Sequence, residues 1–189
     1  MSNRILGIDP GLQTTGYAVV EKSAAKPIII EAGVIRPGDD GATDLAQRIA
    51  SLYDGISDVI ATLKPNAVAV EQLYAHYDHP RTAILMGHAR GVLLLAAAKH
   101  GLEVTSYSAT SVKKTITGHG RASKEQMQFA IQRELGLTNK PEPADVADAL
   151  AVALCHCYSV SVARGPLSVV KSKRSKRPGK RQSTDSTME

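Results

Sequence analysis

Tryptophan is absent from this 189-residue chain, phenylalanine occurs once, and aromatic residues make up only 4% of it. Ala, Val, Ile and Leu must therefore supply the core, and binding surfaces built mainly on Phe and Tyr are not expected. Cysteine is equally scarce. Cys155 and Cys157 stand two apart, on different sides of any helix, and with His156 they offer too few well-spaced ligands for zinc. Buried free thiols are expected instead of a disulfide. No run approaches the roughly 18 apolar residues of a membrane span, and the N-terminal MSNRILGID lacks the basic-then-apolar layout of a signal peptide. A cytoplasmic protein with no membrane contact is the expectation. What is present, 43% hydrophobic and 22% charged residues, is the composition of a soluble globular domain.

The net charge of +5 conceals an uneven distribution. Residues 1–160 hold 15 Lys/Arg against 16 Asp/Glu, whereas residues 161–189 hold 8 against 2. The basicity belongs to the C-terminal end. Periodicity stops after Tyr158, where Lys, Arg, Ser, Gly and Pro take over. The chain is therefore read as one domain, 1–158, followed by a basic, disordered tail, 159–189.

Within that domain, Arg4–Asp9 is an apolar run closed by Pro10-Gly11, which reads as a strand entering a turn. Gly16–Glu21 and Pro27–Ile35 read as two further strands, giving an antiparallel meander. Thr43–Leu63 has helical spacing at Leu45, Ile49, Leu52, Ile56, Val59, Ile60 and Leu63. Asn66–Glu71 reads as a buried strand, Arg81–His100 as a helix apolar on most sides, and Leu102–Ser106 as a strand. Ser123 and Gln126 fit a capping box that opens a helix to about Leu135. Pro141 and Pro143 precede a last helix, Ala144–Tyr158. The order β-β-β-α-β-α-β-α-α-α predicts an α/β fold: a mixed five-stranded sheet with helices on both faces.

Four acids stand out by position. Asp9 and Glu71 each end an apolar strand, where ligand sites in open α/β sheets gather. Asp145 and Asp148, three apart on one helix face, are the only charged residues of Ala144–Tyr158. Plainer readings exist for each. Asp145 and Asp148 could complement the helix dipole, Asp9 could be a turn acid, and Glu71 could pair with an arginine such as Arg90. Capping alone does not favour two like charges at that spacing on a buried helix. Hard oxygen ligands from several elements suit Mg²⁺ or Mn²⁺, and two such ions can clamp both oxygens of a phosphoryl displacement.

GIDPGLQTTG at 7–16, VAVEQLY at 68–74, GHARG at 87–91 and ADVADALAVA at 144–153 together resemble the RuvC family of bacterial junction-resolving endonucleases. The resemblance runs from about Arg4 to Tyr158. It implies an RNase H-like fold and a homodimer that binds a four-way (Holliday) DNA junction. It further implies two symmetric, Mg²⁺-dependent nicks in recombination and repair, with two ions per site and Mn²⁺ as a possible substitute. The metal-binding, catalytic carboxylates fall by motif position on Asp9, Glu71, Asp145 and Asp148. Some members carry His at the position of Asp145. A branch-migration motor is implied as a partner.

The resemblance also places Lys113 and Lys124 close to DNA, with Lys114 and Arg121 as weaker candidates. Without it, a solvated surface lysine is the ordinary reading of each. Arg81 and Arg90 could serve phosphates. Tyr74 matches an aromatic that the family sets against bases at the junction centre. The surrounding YAHYDHPR, with His76, Tyr77 and His79, departs from members whose loop is more basic.

Lys171–Arg181 holds seven Lys/Arg and no acid, the pattern of an arm that attracts nucleic acid without sequence preference. Three rival functions fit parts of the pattern: a junction binder without catalysis, an actin-like ATPase relative whose phosphate loop GIDPGLQTTG resembles, and a ribosomal-RNA-processing nuclease. The four acids, the single short domain and the GHARG segment argue respectively against them.

Overall fold

The computed structural model describes residues 3–38, 41, 44–73 and 80–163. Five strands, β1 (Arg4–Asp9), β2 (Thr15–Glu21), β3 (Ile28–Ile35), β4 (Ala67–Glu71) and β5 (Glu103–Tyr107), form one sheet in the order β3-β2-β1-β4-β5. The meander β1–β2–β3 is antiparallel, while β4 and β5 extend it in parallel from β1. Parallel neighbours require crossovers. These are supplied by α1 (Leu45–Leu63) between β3 and β4 and α2 (Pro80–Lys99) between β4 and β5, followed by α3 (Ala109–Thr117), α4 (Lys124–Leu135) and α5 (Ala144–Ala163).

Strand pleating sorts the side chains onto two cores. Leu6, Ile8, Val68 and Val70 face one way and pack with Leu52, Ile56 and Ile60 of α1 and Leu93, Ala96 and Ala97 of α2. Ile5, Ala18, Val20 and Ala69 face the other way, against Val112 of α3, Met127 and Ile131 of α4, and the buried length of α5. The expected mixed sheet with helices on both faces is the fold observed. Cys155 and Cys157 are buried free thiols, also as expected.

Differences lie at element ends. The first helix starts at Leu45, not Thr43, because Asp44 is its cap and accepts from the Gln47 amide at 2.8 Å. The capping box of Ser123 and Gln126 is formed. The last helix does not stop at Tyr158 but continues to Ala163. Ser159, a loop signal in sequence, donates its hydroxyl to the Cys155 carbonyl at 2.8 Å and so fits inside the helix. Helix α2 is, by length and composition, apolar enough to cross a membrane, contrary to the reading of its sequence. In this fold its inner side packs on the sheet through Ala89, Leu93, Ala96 and Ala97.

Candidate active site

The pleat that sends Leu6 and Ile8 toward α1 and α2 sends Gly7 and Asp9 toward α5, and likewise Ala69 and Glu71 on β4. Because Ile8 pairs with Val70 across the parallel β1–β4 ladder, Asp9 and Glu71 stand at adjacent strand ends on one sheet face. Helix α5 lies against that face at two glycines. A β-carbon on Gly7 would overlap the Ala149 carbonyl and Ala153, and one on Gly16 would overlap the Asp145 carbonyl. Gly16 is itself the register partner of Asp9. The close approach brings the first turns of α5, with Asp145 and Asp148, over the ends of β1 and β4.

All four acids are half-buried and face adjoining clefts. One, about 350 Å³, is lined by Glu71, Lys113, Lys124, Met127 and Asp148. A second, about 500 Å³, runs between Asp9, Glu71, Met86 and Ser108. A third, about 510 Å³, carries Asp9, Thr14, Arg48, Met86 and Asp145. Burial and mutual repulsion raise the proton affinity of Asp9, Glu71 and Asp148. Asp9 is raised from 3.8 to about 7, by desolvation first and then by the carboxylates of Asp148, Glu71 and Asp145, with Lys124 opposing. Glu71 is raised by burial and by Asp148, against Lys113. Asp148 is raised by burial and Asp145, against Lys124 and Lys113.

The turn after β1 is closed by Thr15, whose hydroxyl donates to the Gly11 carbonyl at 2.6 Å and accepts from the Gly11 amide at 3.2 Å. Asp9 is not needed for it. Arg90 meets the backbone carbonyl of Glu71 at 3.4 Å and the Ser106 hydroxyl at 2.6 Å, so its bond to Glu71 is not to the carboxylate. The ion pair at the acids is Lys124 Nζ to Asp148 Oδ2, 4.0 Å apart with the lysine side chain 68% exposed. A contact that long and that wet holds little in place.

The expected cations divide. Lys113 and Lys124 both line the cleft that holds Glu71 and Asp148. Lys114 and Arg121 are exposed beyond it. Arg81 is exposed in the first turn of α2 and is not among the residues that line these clefts. Tyr74, His76, Tyr77 and His79 lie outside the described residues, as does the run Lys171–Arg181. Among the charged residues that line these clefts, Arg48 is the one the sequence reading does not single out. Arg48 of α1 donates to the Leu12 carbonyl at 2.6 Å and the Pro37 carbonyl at 2.9 Å, tying the loop beside Asp9 to the helix. An arginine on the helical pattern of α1 looks like surface charge until the loop is folded over it.

Among the described residues no three His, Cys, Asp or Glu side chains are already gathered as a metal-binding cluster. The donor set nevertheless fits a hard divalent cation: it is all carboxylate oxygen, half-open to solvent, and carries more negative charge around Asp9 than Lys124 offsets.

Antiparallel β3-β2-β1 continued by parallel β4 and β5, with helices on both faces, is the RNase H-like architecture, and the chain has the fold of that class of nucleases. Comparison with known proteins narrows the class. The family model described as "Crossover junction endodeoxyribonuclease RuvC" matches residues 5–156. A protein of that name from Rhodopirellula baltica is 52% identical over 154 residues, 82% of this chain and 85% of the relative. The one from Caldanaerobacter subterraneus is 44% identical over 156 residues, 82% and 93% of the two chains. The solved RuvC of Thermus thermophilus in complex with Holliday junction substrate superposes with a TM-score of 0.78 at 31% identity, covering 85% of this chain and 96% of that one. This chain belongs to the RuvC family.

Proposed function

We propose that the chain resolves four-way DNA junctions as a homodimeric, Mg²⁺-dependent endonuclease whose catalytic carboxylates are Asp9, Glu71, Asp145 and Asp148. The observation that carries the site assignment is the half-buried crowding of Asp9 beside Glu71 at adjacent strand ends; desolvation first, and then the charges of Asp148, Glu71 and Asp145, raise its pKa to about 7. Such crowding is unfavourable in the free protein and becomes useful only when positive charge enters the cleft. When bound, Mg²⁺ supplies a nucleophilic water near neutral pH and charge stabilisation for the leaving oxygen.

The remaining work falls to the chain. Asp9 and Glu71 hold fixed positions because they end hydrogen-bonded central strands, whereas Asp145 and Asp148 are set by the seating of α5 on Gly7 and Gly16. Lys113 and Lys124, facing Glu71 and Asp148 across the cleft, are placed to hold a DNA phosphate there. No side chain needs to become covalently attached to DNA. Tyr74 and Arg81 are read as further DNA contacts, outside the carboxylate cleft.

Two opposed nicks on a nearly symmetric junction call for two sites related by a two-fold axis. Support for a dimer comes from α2. Ile84, Gly87, Gly91 and Leu95 share one stripe, with Ile84 and Leu95 60% and 51% exposed and open space around both glycines. A second copy of this stripe would cover it. The domain is read as residues 1–158 with a basic tail beyond, working in the cytoplasm with a branch-migration motor.

The test uses a mobile four-way junction and its linear duplex control, each with Mg²⁺ and with EDTA, for wild type and Asp148→Asn. Paired symmetric nicks are expected on the junction alone, with Mg²⁺ alone, and not from the variant. Tight junction binding without cutting in any metal would leave a binder whose acids are structural. Lack of junction preference would overturn the reading altogether.

A further inference from the structure

Arg90 sits on the inner side of α2, half-buried, next to the fully buried Ala89. Its guanidinium spans two acceptors on two different strands: Nη2 donates to Ser106 Oγ of β5 at 2.6 Å, and Nε donates to the carbonyl of Glu71, the last residue of β4, at 3.4 Å. Glu71 is the last residue in the β4–β5 register, and the Gln72 amide, donating to the Tyr107 carbonyl at 2.8 Å, closes that pairing one residue further on. A carbonyl at a ladder's end needs a donor from elsewhere. Arg90 supplies it, and from the helix whose Met86 lines the clefts beside Asp9.

We propose that Arg90 is a positioning residue: its fork, anchored on Ser106, registers α2 against the end of β4 and so sets where Glu71 presents its carboxylate. This rests on the reading of Glu71 as a metal-holding residue. The role is one of geometry more than of charge, because Lys113 is the cation that lowers the proton affinity of Glu71. Planar geometry is what lets one side chain serve two acceptors in fixed directions, and a lysine cannot reproduce it.

The test compares the full chain with Arg90→Lys, Ser106→Ala and Glu71→Gln. Four quantities are measured: the Mg²⁺ concentration at half-maximal thermal protection without DNA, kcat and KM on the junction, and junction affinity in EDTA. Arg90→Lys is expected to raise the Mg²⁺ midpoint and lower kcat by about tenfold each, the usual size of an outer-layer effect on a metal site. KM and EDTA binding should stay within about twofold, since the phosphate-holding lysines are untouched. Ser106→Ala, which removes only the anchor, should move the same two quantities by about threefold, and it decides the matter if Arg90→Lys fails to fold. Wild-type Mg²⁺ midpoint and kcat in the folded variants would overturn the proposal, as would a kcat loss matched by an equal loss of EDTA binding. Glu71→Gln separates the two failures: if it leaves the Mg²⁺ midpoint unchanged, the reading of Glu71 itself falls and the proposal with it. If it abolishes protection while Ser106→Ala and Arg90→Lys match wild type, only the role of Arg90 is lost.

Discussion

The carbonyl oxygen of Asp145 lies so close over Gly16 that a β-carbon at that position would overlap it. Gly16 is also the ladder partner of Asp9. One glycine thus sets the separation between a strand-borne and a helix-borne carboxylate. Gly16→Ala should push the first turn of α5 outward and destabilise the fold by about 1–3 kcal/mol, the range for overpacking a filled site. Junction cutting should fall more than stability does, because the folded fraction carries misplaced acids. Denaturant unfolding alongside cutting at a temperature well below the transition checks this. Unchanged cutting would show that the spacing tolerates movement.

Asp9 should make the metal-free protein less stable as pH rises. Its native pKa of about 7, against 3.8 normally, means that between those values the folded chain binds a proton that the unfolded chain has released. Stability from this group is therefore full below about pH 4 and is lost as pH climbs through 7. Asp9→Asn should flatten that part of the profile. Urea midpoints in EDTA at pH 5 and pH 8 give the comparison, and equal slopes in variant and wild type would remove Asp9 as the source. By the same linkage, Mg²⁺ should bind more tightly at pH 8 than at pH 6.

Leu95→Glu, alone or with Ile84→Glu, should give a monomer. Both side chains are exposed, so unfolding of the protomer itself should change by no more than about 0.5 kcal/mol. Light scattering should report half the wild-type mass at matched concentration. A variant that keeps the wild-type mass places the interface elsewhere.

Neutralising the seven Lys/Arg of 171–181 to Gln should weaken junction and duplex binding alike. At about 0.9 per phosphate neutralised, the slope of log K against log salt should drop by up to about six. Cutting at saturating protein should be unaffected. An unchanged slope would leave the run with no part in DNA binding.

Much of this site is legible in one dimension because pleating is a local property. In RILGID and AVAVE the alternation alone puts Asp9 with Gly7 and Glu71 with Ala69, and the spacing of Asp145 and Asp148 puts them on one helix face. Caps are equally local, which is why Ser123 and Gln126 behave as their spacing predicts. Helix ends are less so: Ser159 reads as a loop residue until its hydroxyl finds the Cys155 carbonyl.

Contacts between distant segments are where sequence runs out. Nothing in GIDPGLQTTG says that Gly7 and Gly16 are bare because α5 must lie on them. Nor does GHARG reveal that Arg90 bonds to the carbonyl of Glu71 and the hydroxyl of Ser106 and not to the carboxylate. Local backbone and side-chain chemistry determined which residues become strands and helices and which way each acid points. The parallel pairing of β1 with β4 and the seating of α5 decided that four separately explicable acids line adjoining clefts on one sheet face. That proximity costs electrostatic free energy, through desolvation and like-charge repulsion, and only the packing of the whole core can offset it.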